Sequence, residues 1–400
     1  MVLMIIMSVN RAGHINEKSD FYVYWNTGLN FSHGNELYSQ QGLVRAYIYP
    51  PFAAFIFQVL SVMPLRISAI FFFLLNSLVL PVVVIYLLLR ILKNFGISQK
   101  DAFVPVVLTI LASFNYFWNN LNMLQVNFLV FAVSMTGIFF LSEKRYPLAA
   151  SFFVIATFIK IYPVFLLFYT FVLFPRKKVI ITIVVAVLLC IGIPSLQRGI
   201  SRGFADHQNY YVTFLKEFKE GKVVADLKNH TIKSFVIKTA PKSSDLSQID
   251  VSDYKTHIAI ANISLFIMFV SLALAIYKQI KINQREFSFL IISAIFIFTH
   301  MISGISWSAH FVTAFFWYLP LFLIDWKKFK NPILKGFHIA LIGIALFLAV
   351  EGSDTTGKSL YIVLRSFDVF VVFPIVLFFY YLTLYFYGEK NYYREIKTAQ

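Results

Sequence analysis

The feature that most constrains this chain is a succession of apolar runs, at 67–92, 102–118, 124–141, 147–174, 179–194, 258–277, 287–302, 307–326, 333–350 and 360–387. Crossing a bilayer core takes about 20 apolar residues in a helix. A helix satisfies its backbone polar groups within its own segment, as a water-free core demands. Composition agrees: 59% of residues are hydrophobic and 14% are charged, against about 25% charged in a soluble domain. The expected fold is therefore an all-α polytopic membrane bundle, organised as a single transmembrane domain over residues 1–400. Met1 to Val9 is apolar but shorter than a span, so the first membrane helix is expected to begin upstream of this start.

Charge sorts the loops. The net charge of +16 would suggest nucleic acid in a soluble protein, but here the basic residues lie between apolar runs. There they set orientation, and no nucleic-acid partner is expected. Arg90, Lys93 and Lys100 form one cationic group, Lys144 and Arg145 the next, then Arg176 to Lys178, with further groups at 278–285, 327–335 and 390–397. The intervening short loops 119–123 and 303–306 carry neither Lys nor Arg. The cationic set is assigned to the cytoplasm. The only cysteine, Cys190, lies within an apolar run, which excludes a disulfide framework inside the chain.

Two segments need special treatment. Segment 147–174 has cationic flanks at both ends, so it must enter and leave on one side. Pro163, after Lys160-Ile161-Tyr162, is the expected break, because proline removes a helical hydrogen bond and clashes with the preceding turn. The result is a re-entrant hairpin with two arms of about 12 residues, roughly 18 Å each. By the same accounting Pro51 to Met63 is a short dipping helix. This topology puts Asp20, the 119–127 turn, Lys160, a long loop at 196–256 and Ser303 to His310 on the exterior. An enzyme or a transporter with an outward-facing site fits this convergence.

The first outer loop, 10–50, carries Asp20 followed by Phe21, Tyr22, Tyr24 and Trp25, and closes on Tyr49-Pro50-Pro51. Aromatic rings pack on the apolar faces of sugars, and a carboxylate can take a hydroxyl proton. The same residues also fit an interfacial aromatic belt beside a solvated acid. Lys160 is costly in an apolar segment and is read as a phosphate anchor, with a structural ion pair as the alternative. Asn122, Gln125 and Asn127 could bond sugar hydroxyls, 122 and 125 sharing a helix face, or could serve as helix caps. Trp307 and His310 open another apolar run, where a histidine can orient an acceptor or move a proton. His207 and His230, in the polar loop 196–256, are weaker candidates. No H-x-x-x-H or H-E-x-x-H spacing, P-loop or dinucleotide fingerprint occurs, so neither a metal nor a cofactor is expected.

Asp20-Phe21-Tyr22-Val23-Tyr24, Gly34…Leu37-Tyr38, Tyr49-Pro50-Pro51-Phe52, Asn122…Gln125-Val126-Asn127, Lys160-Ile161-Tyr162-Pro163 and Ser306-Trp307…His310 follow one another over about 300 residues. The ordered set resembles the C-type glycosyltransferases, and most closely glycosyltransferase family 87. That resemblance implies a helical bundle of the C-type with re-entrant helices. It also implies a polyprenyl-phosphate sugar donor, often mannose, a glycan or glycolipid acceptor, and a multi-pass place in a bacterial plasma membrane with the site facing out. It assigns Asp20 as general base, Lys160 with Arg45 and Arg66 to donor phosphate, and Tyr22, Tyr24, Tyr49, Asn122, Gln125, Asn127, Tyr162, Trp307 and His310 to substrate. The rivals are a transporter or flippase of lipid-linked glycans, which needs no base, and a ligase or polymerase, which uses a lipid diphosphate.

Overall fold

The computed structural model describes residues 2–38, 46–174, 176–219, 229–239, 254–282, 287–350, 359–360, 363–364 and 368–388. Their regular structure is helical throughout. In chain order the helices are α1 (Val2–Gly13), α2 (Asp20–Ser32), α3 (Pro51–Ser61), α4 (Leu65–Leu74), α5 (Leu80–Asn94), α6 (Gln99–Asn122), α7 (Asn127–Ser142), α8 (Tyr146–Ile159), α9 (Val164–Leu173), α10 (Lys177–Arg198), α11 (Ile200–Lys219), α12 (Ile232–Lys238), α13 (Lys255–Lys281), α14 (Phe289–Ile302), α15 (Ala314–Leu323), α16 (Pro332–Ala349) and α17 (Val369–Gly388).

Six helical stretches among the described residues are long and apolar enough to cross a bilayer: Leu65–Asn94, Gln99–Asn122, Lys177–Arg198, Lys255–Lys281, Pro332–Ala349 and Val369–Tyr387. The first joins α4 and α5 through a π-helical turn at Leu75–Val79, where Asn76 Nδ2 donates to the Phe72 carbonyl at 2.8 Å. With the remaining short apolar helices this is a polytopic helical membrane protein, as the apolar runs require. Helix α10 is a clear span: Val184, Leu188 and Leu189 remain exposed on it, as side chains facing acyl chains should.

The break in segment 147–174 falls where the proline directs it. Helix α8 ends at Ile159, Lys160 is extended (φ −152°, ψ 130°), and Pro163 caps α9. The arms are 14 and 10 residues long, about 21 and 15 Å, too short to span singly. Helix α3, at 11 residues, is likewise too short to span. The segment expected as a first outer loop contains α2 among its described residues. Segment 196–256 holds the 20-residue α11 and the short α12.

The chain divides into two compact units interleaved in sequence. One comprises Met1–Leu88 with Asn119–Glu220, the other Leu89–Trp118 with Gly221–Gln400. In the first, α2 lies against α3 at backbone contact. A Cβ on Gly28 would sit 2.3 Å from the Phe57 carbonyl oxygen, so only glycine permits this approach. Helix α7 packs on α8 with Gly137 making room for the Phe153 ring. In the second unit α14 is buried on every side from Phe289 to Met301, which is why its sequence is apolar all round. Ser293 Oγ there donates to the Phe316 carbonyl at 2.6 Å, and the Tyr381 hydroxyl to that of Trp317.

Candidate active site

The polar centre of the first unit is the turn between α6 and α7. Leu124 N–H bonds to the Leu121 carbonyl (3.1 Å) and Gln125 N–H to that of Asn120 (3.0 Å), a Schellman closure of α6. The left-handed position of that motif normally holds glycine; here it is Leu124, at φ 49°. A non-glycine residue there costs on the order of 1–2 kcal/mol, so the neighbouring contacts must hold it. Asn122 and Gln125 therefore do not share a helix face, as simple spacing suggests: Asn122 is the last residue of α6 and Gln125 lies in the turn. Nor does a side chain cap α7.

Each of the three amides expected to bind sugar meets a charged group of the chain. Gln125 Nε2 donates to Asp20 Oδ2, while Gln125 Oε1 accepts from the Tyr24 hydroxyl at 2.9 Å. Asn127 Oδ1 accepts from Lys160 Nζ at 2.6 Å, and its carbonyl from the Tyr162 hydroxyl at 3.3 Å. Asn122 Oδ1 accepts from Arg11 Nη2 at 2.7 Å. Asp20 and Lys160 are within Coulombic reach of one another. Gln125 and Asn127 are buried, while Asp20 and Lys160 remain partly accessible.

Aromatic residues line the same centre. The Tyr24 and Tyr49 hydroxyls are 3.1 Å apart with their rings edge to face, and Tyr24 also packs on Phe57 at 4.8 Å between centroids. Lys160 Nζ lies 5.6 Å from the Tyr49 ring centre. Tyr47 and Tyr38 continue the row, and Tyr38 OH donates to the Tyr49 carbonyl at 2.7 Å. Burial raises the Tyr38 phenol above its ordinary range and keeps it a donor. The Tyr22 and Trp25 rings lie 6.3 Å apart at a tilt of 35°, and Trp25 Nε1 donates to the Met63 carbonyl.

The far end of the acid-bearing helix is pinned separately. Arg198 Nε meets Asp206 Oδ2 at 2.5 Å, and its other nitrogens donate to the carbonyls of Asn30, Phe31 and Asn35. These carbonyls lie at the C-terminal end of α2, where a cation also opposes the helix dipole. Burial holds the Asp206 carboxyl above its usual range although Arg198 and Arg202 pull the other way.

Of the sequence candidates, the structure joins Asp20, Tyr24, Tyr49, Gln125, Asn127, Lys160 and Tyr162 in this centre and reaches Asn122 through the same turn. Arg66 is exposed in the first turn of α4, and no hydrogen bond or ion pair joins it to the cluster among the described residues. Arg45 lies outside the described residues. Trp307 and His310 belong to the second unit, where they stack at 6.2 Å and His310 lies in a 3₁₀ turn, Ser308–Thr313. His207 lies on α11 in the first unit, and burial lowers its imidazole below the ordinary range. Sequence reading missed Arg11 and Arg198. Of a buried cluster in the second unit, in which Asp368 bonds His230 Nδ1 (2.8 Å) and Lys238 Nζ (2.7 Å), it named only His230. Asp368 is separated from these partners by more than a hundred residues, so no local spacing could signal it.

Fold and site together define a multi-pass helical membrane protein with an acid, a cation and aromatics gathered on one turn. The profile of glycosyltransferase family 87 matches residues 47–304, more than half of the chain, and the chain belongs to that family. It is a membrane glycosyltransferase. The matched stretch contains Tyr49, Asn122, Gln125, Asn127, Lys160 and Tyr162, whereas Asp20, Tyr22 and Tyr24 precede it and Trp307 and His310 follow it. No curated protein and no solved structure matches the chain.

Proposed function

We propose that this chain, working as one transmembrane transferase, moves a mannose-type hexose from a polyprenyl-phosphate donor to an envelope glycan or glycolipid acceptor. Transfer occurs with inversion at the outer face of a bacterial plasma membrane. The observation that carries the reading is the pairing of Asp20, oriented by Gln125, with Lys160 within electrostatic reach across the same turn. Asp20 takes the proton from the acceptor hydroxyl; the oxygen attacks the anomeric carbon; lipid phosphate leaves with the bonding electrons. Lys160 stabilises the charge that grows on that phosphate. Tyr49, which is half-buried, supplies a ring face for the sugar, the buried Tyr24 supports it from behind, and Asn127 holds the Lys160 ammonium in place.

The test is Asp20→Asn on purified protein supplied with a panel of polyprenyl-phosphate sugars. General-base catalysis contributes about 10²–10⁴-fold, so turnover should fall at least about a hundredfold while donor binding persists. Product from wild type should carry the anomeric configuration opposite to the donor by proton NMR. The exposed Glu17, changed to Gln, should have little effect. Near-normal turnover in Asp20→Asn would remove the base from this mechanism, and retention of configuration would replace direct displacement.

A further inference from the structure

We propose that Arg11 is a second phosphate-binding cation of the transferase site, held for that task by Asn122. The inference rests on the polyprenyl-phosphate reading above and adds a residue to it. Arg11 lies in the last turn of α1, and its Nη2 donates to Asn122 Oδ1 at 2.7 Å. A guanidinium carries five N–H donors in a planar fork. Among the described residues this one meets a neutral amide and no carboxylate, although it is partly buried. A cation placed beside a neutral amide keeps its charge available to a ligand; one placed on a carboxylate does not.

The turn explains why Arg11 belongs to this site. Asn122, Gln125 and Asn127 lie within the six positions 122–127 that link α6 to α7, and each engages a different charged group: Arg11, Asp20 and Lys160. Lys160 shares the peculiarity of Arg11, because it too is bonded to an amide oxygen. Among the described residues neither Arg11 nor Lys160 bonds a carboxylate directly, and Gln125, which holds Asp20, lies in sequence between the amides that hold the two cations. The charge count fits the reaction. A sugar phosphodiester carries one negative charge, and the lipid phosphate released from it carries about −1.5 to −2 at neutral pH. The second cation meets the charge that appears as the glycosidic bond breaks, and arginine's fork suits two phosphate oxygens at once.

The experiment measures binding of farnesyl phosphate and of the uncharged alcohol farnesol to the purified full chain, comparing wild type with Arg11→Gln, Arg11→Lys and Lys160→Met. Loss of a charged hydrogen bond predicts about tenfold or greater weakening of farnesyl phosphate in Arg11→Gln, with farnesol held within about twofold. Arg11→Lys should be intermediate, since charge is kept and the fork is lost. Equal losses for phosphate and alcohol would make Arg11 a purely structural residue and overturn the proposal. Unchanged phosphate affinity in Arg11→Gln, with the loss confined to Lys160→Met, would overturn it while leaving the donor reading intact. Unchanged affinity in both variants would overturn the donor reading itself.

Discussion

Replacing Arg198 by methionine tests how the acid-bearing helix is held. Arg198 and Asp206 side chains are 1% and 2% exposed and meet at 2.5 Å. Methionine keeps an apolar stem and deletes the charged guanidinium, leaving Asp206 buried with Arg202 at 3.9 Å, itself 40% exposed, as its remaining ion-pair partner among the described residues. Removing one partner of a buried pair costs about 3–5 kcal/mol, because the remaining charge is stranded. Of the three carbonyls that Arg198 also serves, that of the exposed Asn35 can turn to water and the other two keep backbone partners. Those of Asn30 and Phe31 still accept the Asn35 and Gly34 amides at 2.8 and 3.3 Å, which the left-handed Gly34 (φ 73°) makes possible. Loss of these contacts therefore adds only about 1 kcal/mol. The expected destabilisation is about 4–6 kcal/mol, read by equilibrium unfolding in mixed micelles followed by far-ultraviolet circular dichroism. Asp206→Asn added to Arg198→Met removes the stranded charge, so the double variant should be more stable than Arg198→Met alone. A single-variant loss below about 1 kcal/mol would refute the reasoning, as would a double variant whose loss equals the sum of the two singles.

Two further outcomes follow from the packing and the topology. Gly28→Ala would set a Cβ 2.3 Å from the Phe57 carbonyl oxygen, so it should lower both stability and turnover by separating α2 from α3; a variant with wild-type stability and rate would contradict that contact. In a Cys190→Ala background, cysteine at Ser303 should react with a membrane-impermeant thiol reagent in intact cells, whereas cysteine at Asn331 should not; labelling at 331 alone would invert the orientation.

Much of the architecture was legible before any coordinates. Apolar runs and cationic loops define a polytopic helical protein because the bilayer demands both, residue by residue. The break at Lys160 to Pro163 was legible for a similar reason: proline's missing N–H is a local property of the chain. Asp20, Gln125, Asn127 and Lys160 could be named from residue type, since acids, amides and lysines are conspicuous in apolar surroundings. Their partnerships could not. Gln125 reaches Asp20 across 105 positions, and Lys160 reaches Asn127 across 33. The three-residue spacing of Asn122 and Gln125 was misleading because Leu124 takes a left-handed conformation that ends the helix between them. Arg11 went unnoticed because the run preceding it is too short to span and seemed a fragment. Only the Asn122 contact gives it a place. The sequence by itself determined which segments enter the membrane, since that depends on the free energy of transferring each stretch from water. Tertiary structure alone decided which charges face which amides, since that depends on the closure of α6 and on where distant helices bring their ends.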